Sequence, residues 1–80
     1  MRLPRDLSGE DLANGLCRRW NYKKAHQVGS HIVLETEVPI HQRISIPAHK
    51  HVNIGTLNNI LRSVAAHKGV TREEILRSIL

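Results

Sequence analysis

Eighty residues suffice for one small domain, which at this size is only marginally stable on its core alone. A single cysteine, Cys17, excludes an internal disulfide framework and a zinc site built on thiolates, and no apolar run approaches the roughly 20 residues that span a bilayer. Twelve Lys and Arg against seven Asp and Glu give a formal net charge of +5, a bias towards polyanions that six histidines strengthen on acidification. The opening Met1–Asp6 lacks the apolar stretch of a signal peptide, so the expectation is a cytosolic protein without membrane association. With Trp20 and Tyr22 as the only aromatics, the core is expected to be Leu, Ile, Val and Ala.

Ser8 reads as the cap of a first helix, with Asp11 at the third helical position and Leu7 and Leu12 as a hydrophobic staple. Leu12, Leu16 and Trp20 recur every four residues beside Ala13 and Cys17, the stripe of an amphipathic helix. Arg18 and Arg19 then suit its C-terminal dipole as a solvated helix end. A hairpin follows, Tyr22–Val28 and His31–Val38, around the two-residue turn Gly29-Ser30. Glycine at the first central position suits a type II′ turn, which needs φ > 0 there, and holds His31 at the start of a strand. The expected register pairs Val28 with His31, His26 with Val33 and Lys24 with Glu35. Alternation then turns Ala25, Ile32 and Leu34 to the core and Lys24, His26, His31 and Glu35 to water.

Pro39 breaks the second strand, and Gln42–Ile46 forms a third, with Ile44 and Ile46 inward and Arg43 and Ser45 outward, before Pro47 ends it. A polar connection, Ala48–Ile54, carries His49, Lys50 and His51. Gly55-Thr56-Leu57 opens a second helix with Thr56 as its cap; the same free N–H groups suit a phosphate, but capping alone accounts for the residue. Leu57, Ile60, Leu61 and Val64 give this helix its apolar face, Gly69 ends it, and His67 and Lys68 are placed to complement its last carbonyls. Thr71-Arg72-Glu73-Glu74 is a capping box, with Val70 and Ile75 as staple, for a short helix bearing Ile75, Leu76, Ile79 and Leu80. The predicted class is α+β, an α-β-β-β-α order with a short extra helix. The helices cover one face of a three-stranded antiparallel sheet, the element order of double-stranded-RNA-binding folds.

Six histidines raise the question of a metal. His41 and His49-x-His51 offer imidazoles in irregular segments, and Glu35 and Glu37 approach them only by chance, so no metal site is expected. His31 has a constrained backbone. An imidazole takes and gives protons near neutral pH, and RNA offers a matching reaction in which the 2′-oxygen, once deprotonated, attacks the adjacent phosphorus. Lys24, Arg43 and Lys50 are the nearest cations for the charge that develops. From the residues alone, an exposed hairpin histidine without a role is the simpler account.

Three blocks in order, Gly29-Ser30-His31, Ile46-Pro47-x-His49 and Gly55-Thr56-Leu57-x-x-Ile60-Leu61, resemble the pattern of HicA (YcfA-like) toxins. The tail Gly69-Val70-Thr71-x-Glu73-Glu74-Ile75-Leu76 is similar to an extension many members carry, so the resemblance spans roughly residues 7–79. It implies a double-stranded-RNA-binding-like fold and the toxin of a type II toxin–antitoxin system, a metal-independent ribonuclease of mRNA without cofactor. His31 takes the place of the histidine on which activity depends, and the implied partner is a HicB-type antitoxin that covers the active surface. Val28 stands where members commonly have a basic residue, and Leu34 where many have an aromatic. On this reading Lys23, Lys24, His26, Arg43 and Lys50 contact RNA, and His26 is also a candidate for the second proton-transfer group. Gly29, Ser30, Gly55 and Thr56 shape the turn and cap that support the site. The alternative is a non-catalytic RNA-binding module that reads backbone shape and charge.

Overall fold

The computed structural model describes residues 2–80, and its first helix starts where the capping signal lies. In α1 (Gly9–Arg19) the Ser8 hydroxyl accepts from the Asp11 N–H at 3.0 Å. Leu12 and Leu16 are fully buried. Trp20 caps the other end and donates its indole N–H to Ser78 Oγ at 2.7 Å, after which Asn21, at φ 62°, turns the chain into the sheet. The three strands, β1 (Lys23–Val28), β2 (His31–Thr36) and β3 (Gln42–Pro47), form an antiparallel sheet in sequence order. Gly29 has φ 57° and Ser30 has no positive φ, as a type II′ turn requires. Next come α2 (Ile54–Lys68), ended by Gly69 at φ 70°, and α3 (Arg72–Ile79), where Thr71 Oγ1 accepts from the Glu74 N–H at 3.1 Å. The layout is α+β, α-β-β-β-α with a short third helix. Among the described residues no helix is long and apolar enough to cross a membrane.

One face of the sheet supplies Ile32, Leu34 and Ile46 to a core completed by helix residues such as Leu12, Leu61 and Ile75. The other face carries no helix. Burying these side chains is the main stabilising term, at about 25 cal/mol per Å² of apolar surface. The start of α1 is fastened to the chain beyond β3: Gly9 N–H donates to the His49 carbonyl and Val52 N–H to the Leu7 carbonyl, each at 2.9 Å. Gly9 allows this because any Cβ there would overlap the Pro47 carbonyl. Gly15 sits against α3, where a Cβ would come 2.8 Å from the γ carbons of Ile79.

Several expectations need correction. The register slips between Lys24 and His26, so Ala25 is an extra residue in a bulge, exposed rather than in the core. Lys24 consequently pairs with Leu34, and Lys23 takes the place opposite Glu35. β1 begins at Lys23 rather than Tyr22, and β2 stops at Thr36 rather than Val38. Helix α2 is capped by Asn53, whose Oδ1 accepts from the Gly55 N–H at 2.8 Å, and not by Thr56. Asparagine caps somewhat better than threonine, and starting at Ile54 puts another apolar residue on the helix. The core also takes an aromatic: Tyr22 is 3% exposed and donates its hydroxyl to Gln42 Oε1. His67 and Lys68 lie in the last turn of α2, as expected, but their side chains bond elsewhere. Lys68 Nζ lies 4.8 Å from the Tyr22 ring centre and donates to Thr36 Oγ1 at 3.0 Å, and His67 Nε2 lies 2.8 Å from the Ile40 carbonyl. Both thus bind the end of α2 to the β2–β3 connection, where buried Thr36 Oγ1 needs a donor.

Two outcomes follow for stability. Gly9→Ala is expected to cost about 1–3 kcal/mol in chemical denaturation because the new methyl meets backbone. Gly15→Ala should also destabilise, by about 1–2 kcal/mol net of the helix gain of about 0.5–1 kcal/mol, because both γ carbons of the stiff, β-branched Ile79 lie 2.8 Å from the new methyl. Burial pushes the Tyr22 hydroxyl up to about 12. Between pH 10 and 12 the unfolded chain releases this proton and the folded one keeps it, so stability is full below about pH 10 and falls as pH rises towards 12. Thermal melts across that range should show a shallower alkaline decline for Tyr22→Phe than for the parent.

Candidate functional site

The uncovered face of the sheet is built of three cross-strand rows. At the turn end Val28, His31 and Pro47 lie side by side; then come His26, Val33 and Ser45; then Lys23, Glu35 and Arg43. Alternation along β2 sends His31, Val33 and Glu35 to this face because Ile32, Leu34 and Thr36 are buried on the other. His26 shares the open face through the regular register from the turn, and the bulge at Ala25 brings Lys23 to that face while turning Lys24 under the sheet. His31 is exposed, at the first strand position after the turn. The turn is anchored from β3 as well, since the Ala48 N–H donates to the Ser30 carbonyl at 2.5 Å.

Of the residues expected to meet RNA, Lys23, His26 and Arg43 share this face with His31. Lys24 does not. It lines a cleft between α1 and the sheet with Cys17, Gln27 and Leu34, and its Nζ donates to Gln27 Oε1 at 3.2 Å. In that cleft burial pushes the Cys17 thiol up, partly offset by a hydrogen bond from the Lys24 backbone. Arg43 is not a free cation: its Nε donates to Glu35 Oε2 at 2.8 Å and its second nitrogen lies 2.7 Å from the same oxygen. That hydrogen bond holds the Glu35 carboxyl below the usual carboxylate range. Arg43 reaches a phosphate only by sharing or breaking this pair. Lys50 is exposed in the loop after β3, whose first residue bonds the turn. Gly55 and Thr56 belong to the packing of α2 on β3, where Thr56 lines a groove with Ile44, Ser45 and Asn59.

His41 bonds Glu37 at 2.9 Å before β3, whereas His49 and His51 follow the strand's other end. Among the described residues no three His, Cys, Asp or Glu side chains are grouped to hold a metal. Two features of the site escape sequence reading: the bulge and the Ala48–Ser30 bond. The Glu35–Arg43 pair was within reach, since both residues sit at outward positions of adjacent strands with opposite charge. What the face can offer chemically is a pair of solvent-exposed imidazoles with a lysine one row beyond them. Comparison of the chain with protein-family models, with curated proteins and with solved structures finds no match.

Proposed function

We propose that the open sheet face binds and cleaves single-stranded regions of mRNA, with His31 as the general base, and that the protein is a HicA-like toxin. The observation that carries this reading is the placement of His31: fixed by a two-residue turn, exposed, and diagonal to His26 on the face the helices leave open, with Lys23 further along that face. His31 takes the 2′-hydroxyl proton, the 2′-oxygen bonds to the adjacent phosphorus, and the bond to the 5′-oxygen breaks. Proton transfer of this kind contributes about 10²–10⁴ in rate, and Lys23 and Lys50 supply positive charge for the phosphate oxygens. The net charge of +5 supports a polyanionic substrate. The reaction uses neither metal nor cofactor. A HicB-type antitoxin that occludes this face is the partner the reading calls for, and a cytoplasmic setting follows from an mRNA substrate.

Purified protein incubated with a long unstructured RNA in EDTA should cleave it, and His31→Ala should lose at least about 10²-fold in rate. Equal behaviour of the two would falsify the catalytic role. Retention of uncut RNA by both proteins, weakening steeply with salt, would identify a non-catalytic binding module instead. In cells, expression should arrest growth, and the adjacent gene should relieve it. Val28 lies directly opposite His31 and is 62% exposed. Val28→Lys should therefore tighten RNA binding and steepen the dependence of log K on log salt by about 0.7, the value for one more phosphate contact on a single strand. A filter-binding titration measures both.

A further inference from the structure

We propose that His26 is the general acid of the same reaction, delivering a proton to the departing 5′-oxygen; this rests on the ribonuclease reading above. The two strands of the hairpin place four side chains at the corners of a square on the open face. Val28 pairs with His31, and His26 with Val33, so the histidines occupy one diagonal and the valines the other. Diagonal neighbours across an antiparallel pair are about 7–8 Å apart at the backbone, within mutual reach of long side chains. Direct attack on phosphorus requires the entering and leaving oxygens on opposite sides of it, hence a base and an acid that are separated rather than touching. Two imidazoles on a diagonal meet that demand, each within about 3 Å of its own oxygen with the phosphoryl group between them.

The alternatives are poorer. The remaining neighbours of His31 on this face, Val28, Val33, Pro47 and Ser45, have no proton to give near neutral pH. Lys23 and Arg43 stand one row further off, beside Glu35, and Arg43 is already bonded to that carboxylate. His49 and His51 lie outside the sheet, in a loop bonded through its backbone to the start of α1 by Gly9 and Val52. The two-residue turn keeps His26 in phase with His31, and the bulge at Ala25, which lies before His26, turns Lys24 under the sheet. The step balances: His31 accepts the 2′-hydroxyl proton, the 2′-oxygen–phosphorus bond forms, and the phosphorus–5′-oxygen bond breaks. Protonated His26 gives its proton to the 5′-oxygen. The products are a 2′,3′-cyclic phosphate and a free 5′-hydroxyl, and water returns both imidazoles to their starting states.

The test uses a short oligonucleotide spanning a cleavage site mapped on the long RNA, made with either oxygen or sulfur at the bridging 5′ position. A thiolate leaves without protonation, so only the oxygen substrate needs an acid. His26→Ala should cleave the oxygen substrate about 10²–10⁴-fold more slowly than the parent and the sulfur substrate at close to the parent's rate. His31→Ala should fail on both. If His26→Ala matches the parent on oxygen, or is equally impaired on both substrates, the assignment of His26 as acid is overturned while the ribonuclease reading stands. If the parent cleaves neither substrate, that reading falls and this inference with it.

Discussion

Two backbone hydrogen bonds at the start of α1 set the arrangement on which the rest depends. Gly9 and Val52 join residues 7–9 to residues 49–52, forty or more positions later in the chain. They close the helix onto the sheet before any side chain is considered, and they leave no room for a Cβ at Gly9. With α3 packed against both α1 and α2, the core forms between helices and sheet, and no helix covers the opposite face. The same bonds draw the loop after β3 towards α1, while its first residue, Ala48, holds the Ser30 carbonyl of the turn. Helix docking and turn geometry are thus linked through one short stretch, Pro47 to Val52.

The open face is heterogeneous along its length. Near the turn it is valine and histidine; at the far end it is a lysine, an arginine and a glutamate, the last two bonded to each other. An exposed ion pair of this kind contributes little to stability. Its effect is to neutralise locally part of the positive charge that the composition carries. The charge available to a nucleic acid is therefore concentrated at Lys23 and in the loop at Lys50, at two sides of the histidine pair.

Local signals were legible in the sequence wherever one residue type has one dominant reason to be present. Ser8 and Thr71 cap, Gly69 ends a helix in the left-handed region, and Gly29 makes a turn, each as its chemistry dictates. The apolar stripes of α1 and α2 located the core for the same reason. Failures came where two options differ by less than tertiary packing supplies. Asn53 and Thr56 are both competent caps, and the burial around Ile54 decides between them. Lys68 satisfies a helix end equally well on paper, but a buried threonine and a tyrosine ring elsewhere in the fold claim it. The bulge at Ala25 is invisible to alternation, since a single added residue changes the face of everything before it and nothing after it. That is why Lys24 was misplaced while His26 and His31 were not. For the site, the geometry around His31 could be read from the turn outward, whereas its chemistry rests on resemblance.

Every residue of β1 is exposed, because Lys24 and Gln27 hold the inner positions that apolar side chains fill in β2 and β3. Little apolar burial therefore retains the strand; its ladder to β2 does most of the work, and each hydrogen bond there nets only about 1 kcal/mol. Strands so held belong to the low-stability end of a domain, opening locally while the remainder stays folded. His31 rides on the central strand, sandwiched between two neighbours, and His26 rides on this loosely retained edge. The two imidazoles consequently differ in how firmly the fold holds them, even though they share a face.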